Sequence, residues 1–246
     1  DQLQKFGIPL VHELPGVGQS LWNHLSAQVT FKVKNGATLV GDVDAVHFSL
    51  HYTSQGSSEA NDMLLRTSSV VDERVEKVPG LRTMYLAGGV PPEDMGRISC
   101  TLGLPEGSGY VRLASADAGE QPSFNYCFLQ HPNDIRRVRA GVRMSVKLLE
   151  SDAYKDVADY RIQPTDEVLS DDDDLDLWIR QTVGTARHVS GTCKMGPDSD
   201  PMAVVDQYCR VKGVERLWVV DASVMPRVPR SGGCHATVLM IAARAA

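Results

Sequence analysis

His188 and His235 are the side chains best suited to chemistry in this chain. An imidazole titrates near neutrality, so at pH 7 it can accept a proton or make a hydrogen bond. Two imidazoles that meet at one site can divide the work on an alcohol. One takes the hydroxyl proton and the other holds the oxygen. Their separation in sequence leaves open whether they meet. Small residues surround both. His188 opens the run His188-Val189-Ser190-Gly191-Thr192-Cys193-Lys194-Met195-Gly196, and His235 follows Ser231-Gly232-Gly233-Cys234. Such residues let a backbone come close to another group.

The elements that must position these residues read as an α+β protein with a mostly antiparallel sheet and packed helices. A short helix ends at Gly7, and a glycine turn follows at Gly16 and Gly18. That turn lacks the third glycine of a phosphate loop. Ser26–Val33 alternates and holds β-branched residues, which predicts a strand with one wet face. Further strands are expected at Asp62–Thr67, Thr83–Gly88, Arg97–Leu104, Tyr110–Ser115 and Ser123–Phe128. Clusters such as Pro91-Pro92 and Pro105-Glu106-Gly107 separate them, and runs joined by turns predict antiparallel pairing. A helix begins at Pro132, where proline suits a first turn. Its Ile135, Val138, Val142, Val146 and Leu149 form one apolar stripe with arginines opposite. Asp171–Asp174 lacks the Gly and Glu of a calcium loop. It reads instead as the solvated start of a helix over Leu175–Val183, where carboxylates favour the positive end. The last stretch, from His235 to Ala246, is helix-like.

Other residues with chemical potential are assigned no role. His47 and His51 would share one helix face, but no third ligand stands nearby, so no metal site is expected. His24 reads as a structural, hydrogen-bonded histidine. The five cysteines are odd in number and widely spaced, with no C-x-x-C. They predict free, mostly buried thiols in a reducing compartment, and a cytoplasmic location. The net charge of −6 and the lack of a basic cluster argue against nucleic acid as partner. Apolar runs fall short of the roughly 18–20 residues that span a bilayer, so no membrane segment is expected. The chain begins at Asp1 without a signal segment, and its last helix lacks a terminator. It reads as a piece of a longer protein.

The run from His188 to Gly196 resembles the His-x-x-Gly-Thr-x-x-Met-Gly signature of the glucose–methanol–choline (GMC) family of flavin-dependent oxidoreductases. Ala236-Thr237-Val238-Leu239-Met240-Ile241 resembles the start of that family's last helix, preceded by a His or Asn, here His235. Gly16–His24 is similar to its Gly-Val-Gly-Gln-Asn-Leu-x-Asp-His run, with Ser20 for the Asn and Asn23 for the Asp. Gly107–Ser115 is similar to its Ser-x-Gly-x-Val-x-Leu strand, and Pro122-x-x-Asn125-Tyr126 to the stretch that follows. Two other departures are a segment Arg227–Cys234 about one residue longer than usual, and Ala243 where a Glu is common.

The resemblance implies FAD as cofactor and an alcohol as small-molecule substrate, oxidised to an aldehyde or ketone. It implies that His188 takes the hydroxyl proton while a hydride passes to flavin N5. His235 would hydrogen-bond the developing alkoxide. Asp221 and Ala222, with Ala236 and Thr237, would approach the FAD through their backbone. It implies three parts: residues 1–25 as a segment of the FAD-binding domain, 26–184 as the substrate-binding domain, and 185–246 as a return into the FAD-binding domain. The family's strand, Gly-x-Gly-x-x-Gly and helix are missing here. An N-terminal FAD-binding half is therefore expected from the same polypeptide or from a second chain, and the chain alone is expected to be inactive. Alternatives are a GMC-fold hydroxynitrile lyase or photodecarboxylase, or a non-enzymatic substrate-binding domain.

Overall fold

The computed structural model of the chain describes residues 2–35, 37, 49–69, 90, 94–230 and 233–245. They divide into two compact units. The first comprises Asp1–His24, Gly103–His131 and Thr185–Ala246, and the second Leu25–Leu102 and Pro132–Gly184. Residues 103–131 thus belong with the two ends of the chain and not with the segments that flank them. No described helix is long and apolar enough to cross a membrane.

The second unit is built on a sheet. Its strands are β1 (Leu25–Val33), β2 (Ser49–Tyr52), β3 (Met63–Ser69) and β4 (Met95–Leu102). A later strand of the same sheet covers Ala158–Gln163. The order is β2-β3-β4-β1 and then Ala158–Gln163, and every one of these pairings is antiparallel. In β1, Leu25, Ala27, Val29 and Phe31 are buried and alternate with half-buried neighbours. This is the two-residue period of a strand with one face on a core. The register sets Leu25 against Leu102, Ala27 against Cys100 and Val29 against Ile98. The expected strand Thr83–Gly88 lies outside the described residues, as does His47. His51 lies in β2, on a strand where a shared helix face was expected.

Helix α2 (Pro132–Leu149) packs on β4, β1 and β3. Its stripe of Ile135, Val138, Val142, Val146 and Leu149 is buried as expected. Gly141 permits a close approach, since a side-chain carbon there would lie 2.3 Å from Cys100 Sγ. Not every arginine of α2 faces away from the sheet. Arg137 is buried and pairs with Asp62 at 3.0 Å and with Asp134 at 2.7 Å. Asp62 also accepts from the backbone N–H and Oγ of Ser54. Burial pulls the Asp62 carboxyl upward, but the Ser54 and Arg137 hydrogen bonds outweigh it and hold it below the usual carboxylate range. Two shorter helices follow, α3 (Asp166–Ser170) and α4 (Asp172–Thr182). Asp171 caps α4 by accepting from the N–H groups of Asp173 and Asp174. The acidic run is therefore a helix start, as its composition predicts.

The first unit has little regular structure. Helix α1 (Gln2–Lys5) is one turn, with Gly7 beyond it at φ +68. A two-stranded ribbon pairs β5 (Tyr110–Arg112) with β6 (Ser123–Asn125). These strands are shorter than the expected Tyr110–Ser115 and Ser123–Phe128. Cys127 and Leu129 take left-handed φ of 52 and 60, which ends extended backbone after β6. A cluster of Val204, Val205, Cys209, Val211 and Val224 forms its core, with Leu14, Cys193, Met195 and Ile241 packed against it. Ile241 belongs to the last helix, α5 (His235–Ala245).

Candidate active site

The sequence motifs of the first unit lie side by side as extended loops. Residues 186–192 run against 18–24. Gly18 N–H donates to Thr192 O at 2.8 Å, Trp22 and Ser190 exchange backbone bonds of 2.9 and 3.0 Å, and Ala186 N–H donates to His24 O at 2.9 Å. On their other side, Gly191, Cys193 and Met195 donate to the carbonyls of Ala222, Ser223 and Val224 at 3.2, 2.9 and 2.8 Å. The 18–24 loop is held in turn by Leu21 and Gly109, which exchange bonds of 3.0 and 2.9 Å. Gly191 is required where these loops touch. Its φ is +88, and a side-chain carbon would lie 2.4 Å from Ser20 O. Ser20 itself has φ +54, a conformation in which Asn is enriched over most residues.

This layering fixes His188. Its backbone N–H donates to Asn23 Oδ1 at 2.9 Å, and buried Asn23 donates through Nδ2 to Thr185 Oγ1 at 2.6 Å. Its ring Nδ1 meets His24 Nδ1 at 2.8 Å, with the two rings edge-on at 5.0 Å between centroids and 85° between planes. Its Nε2 faces Gly233, where a side-chain carbon would lie only 3.0 Å away. Cys234 donates its thiol to His188 O at 3.5 Å. The fold thus brings His188 to the Gly233-Cys234 turn that enters α5. His235 is the first residue of that helix and is exposed.

From the sequence alone His24 reads as a structural, hydrogen-bonded residue, and the structure pairs it with His188. It is 1% exposed, and its Nε2 lies 3.0 Å from Gly103 O. The pairing of Leu25 with Leu102 explains this neighbour, because His24 and Gly103 are the next residues outward. Burial and the neighbouring His188 push its pKa down to about 4, against an upward pull from the carbonyls of Gly103 and Pro229. No local pattern announces a partner 164 residues away. Asn23 departs from the motif's Asp, yet its amide retains an acceptor for His188 N–H.

The expected cofactor-contacting residues are partly or fully exposed. Asp221 caps the turn Ala222–Val224, and its Oδ1 accepts from Ser223 N–H at 2.7 Å and Ser223 Oγ at 2.5 Å. One carboxylate oxygen is thus engaged within its own turn, and the Ala222 carbonyl accepts from Gly191. In α5 the first helical bond of the N-terminal turn runs from Val238 N–H to Cys234 O at 2.9 Å. The N–H groups of His235, Ala236 and Thr237 precede it, beyond the reach of helix carbonyls. Such donors at a helix start favour an electron-rich group. The small side chains and unspent donors fit a flavin ring. All five cysteines are free thiols, with Cys100 and Cys209 buried and Cys127, Cys193 and Cys234 half-buried.

Comparison with known proteins gives this geometry a context. The chain is 31% identical over 257 residues to the oxygen-dependent choline dehydrogenase of Vibrio vulnificus (strain YJ016), covering 99% of this chain and 45% of that protein. It is 32% identical over 261 residues to the mitochondrial choline dehydrogenase of Homo sapiens, covering 100% of this chain and 43% of that one. The chain therefore spans less than half the length of these relatives. Its fold matches the crystal structure of pyridoxine 4-oxidase from Mesorbium loti with a TM-score of 0.82 at 22% identity, over 100% of this chain and 46% of that one. A family model described as GMC oxidoreductase matches residues 105–242, more than half of the chain. GMC oxidoreductases are FAD-dependent flavoproteins. With the motif loops assembled around His188 and that match, the chain belongs to the GMC oxidoreductase family.

Proposed function

We propose that this chain supplies the proton-handling histidines of an FAD-dependent enzyme that oxidises an alcohol to an aldehyde or ketone. The observation that carries the reading is the approach of His188 Nε2 to the turn at Gly233, two residues before His235. FAD, when bound, supplies the hydride acceptor. His188 takes the hydroxyl proton on its ring, which raises the hydride-donating character of the carbinol carbon. His235 donates a hydrogen bond to the oxygen as charge develops there, an electrostatic role whose removal costs about 3–4 kcal/mol at comparable sites. Backbone at Asp221 and Ala222 and the start of α5 at Ala236 and Thr237 hold the flavin side of the site.

We assign the second unit to substrate binding and the first to the FAD-facing part. The remaining contacts to FAD come from an N-terminal half, in the same polypeptide or in a second chain. Its docking is supported by α5, an apolar helix with no buried residue whose Leu239 and Met240 are 58% and 64% exposed. The choline dehydrogenases among its relatives act on an alcohol, and the reading for this chain stops at that class. The free thiols support a cytoplasmic setting.

His188→Ala in the full-length enzyme tests the reading. Turnover is expected to fall by about 10²–10⁴-fold with FAD still bound. Wild-type turnover would remove His188 from the role of base. Gel filtration of the 246-residue chain after incubation with FAD is expected to yield protein with little flavin absorbance. Strong retained absorbance would mean that the first unit holds FAD without the other half.

A further inference from the structure

We propose that His24 is a positioning residue that holds His188 in the tautomer with its proton on Nδ1, so that Nε2 is the basic nitrogen. The argument is one of donors and acceptors along a chain of three groups. A carbonyl can only accept, so the 3.0 Å contact between Gly103 O and His24 Nε2 requires the proton on that Nε2. A neutral imidazole carries one N–H, which leaves His24 Nδ1 with a lone pair. That lone pair lies 2.8 Å from His188 Nδ1. Two facing lone pairs repel, so His188 Nδ1 must be the donor. In the neutral ring that donor is its single proton, and Nε2 is unprotonated.

The opposite arrangement would donate from His24 Nδ1 to His188 and set the bare Nε2 of His24 against Gly103 O. With His24 1% exposed, bulk solvent does not reach that contact to relieve the repulsion. The surroundings also keep His24 neutral. Burial and His188 lower its pKa to about 4 against the pull of the Gly103 and Pro229 carbonyls, so it is neutral at pH 7, and the direct 3.0 Å contact with Gly103 assigns its one proton to Nε2. Asn23 fixes the backbone of His188 through its N–H, so the ring pivots from a set point. Nε2 is the atom turned to Gly233. The value of this tautomer rests on the reading of His188 as the base, but its existence does not.

The test reads the proton directly. The full-length enzyme is labelled with ¹⁵N in its histidines, and long-range ¹H–¹⁵N correlations report which ring nitrogen carries hydrogen. The chain has seven histidines, and His188→Asn assigns the signal. Wild type is expected to show His188 protonated on Nδ1 at pH 7. In His24→Leu the constraint is gone, and a substantial share of His188 is expected to move its proton to Nε2. Wild-type His188 with its proton on Nε2 would overturn the inference, whether or not the variant folds. So would a folded His24→Leu chain whose His188 signal matches wild type. If the tautomer is as expected while His188→Ala keeps full turnover in the full-length enzyme, the base reading falls and the positioning by His24 stands.

Discussion

In the second unit, α2 lays a stripe of five apolar residues on β1, β3 and β4, and side chains interdigitate down to the contact of Gly141 with Cys100. In the first unit, the neighbours of residues 186–195 are other loops, joined mostly through backbone N–H and C=O groups. Exposure follows the same division. Among the described residues, twelve large apolar side chains of the first unit are exposed, against four of the second. A unit that buries its periodic faces is self-sufficient, because area removed from water is what offsets chain entropy. The loop-built unit leaves Val11, Trp218, Leu239 and Met240 more than half exposed. The same unit holds His24, His188 and His235. Loops can place two rings from distant parts of the chain nitrogen to nitrogen, which a repeating helix or strand face does not readily do.

The largest effect that would break this comparison lies in the second unit. Arg137→Ala removes the cation between Asp62 and Asp134 and leaves carboxylates buried without it. Loss of one partner from a buried pair costs about 3–5 kcal/mol. Urea denaturation should show that drop. A loss below about 1 kcal/mol would mean that the sheet and α2 do not depend on the polar network beneath them.

Acid separates the units by pH window. The His24 ring binds its proton at 6.5 when unfolded but only at about 4 when folded. Between those values the folded chain carries fewer protons than the unfolded one, so stability falls as pH drops from 6.5 to 4. The difference between those values corresponds to about 3 kcal/mol. Asp62 acts at lower pH. Its folded value is depressed below 3.8, so its contribution is present above 3.8 and is lost as pH falls through the lower folded value. Stability measured from pH 7 to 4 should decline in wild type and stay flatter in His24→Leu. Equal slopes in the two proteins would show that His24 is not held neutral.

The same contrast sets what the amino-acid sequence discloses. The stripe of α2, the alternation of β1 and the Asp171 cap are periodic or local, and each is legible because one short window holds both the residue and its reason. Arg137 escapes that logic. It lies beside Val138 and Ile135 on the buried side of α2, where Asp134 is a local partner but Asp62, 75 residues earlier, completes the pairing from a distant strand edge. The strand ends also move. The sheet stops at Leu102 and not at Leu104, and Gly103 O, freed from the ladder, accepts from His24. His188 and His235 are legible through a family pattern, whereas the His24–His188 contact depends on loop register that no periodicity encodes. Ser20 and Asn23, which depart from that pattern, occupy a left-handed turn and a hydrogen-bonded post, so the roles of those positions persist with altered side chains.

Within the first unit, Gly191 tests whether the loop layering is as tight as its backbone bonds imply. Gly191→Ala places a carbon against Ser20 O in a left-handed conformation, and about 1–3 kcal/mol should be lost. A neutral outcome by thermal or urea unfolding would mean that the 186–192 and 18–24 loops can part without cost.

The smallest expected effect sharpens the comparison most. Met240→Gln replaces an apolar side chain that is 64% exposed on α5, while the neighbouring Ile241 packs on the Val204–Val224 cluster. In the 246-residue chain, Met240→Gln should change stability by less than about 0.5 kcal/mol, as exposed substitutions do. Ile241→Ala should cost more, because it withdraws area from a core. In the full-length enzyme the order should change. If the N-terminal half covers this face of α5, Met240 becomes a buried contact and its replacement should cost about 1–3 kcal/mol. A difference between the two proteins would identify α5 as a helix whose apolar girth serves two neighbours, one inside the first unit and one beyond it. Equal, small effects in both would leave Met240 a solvent-facing residue.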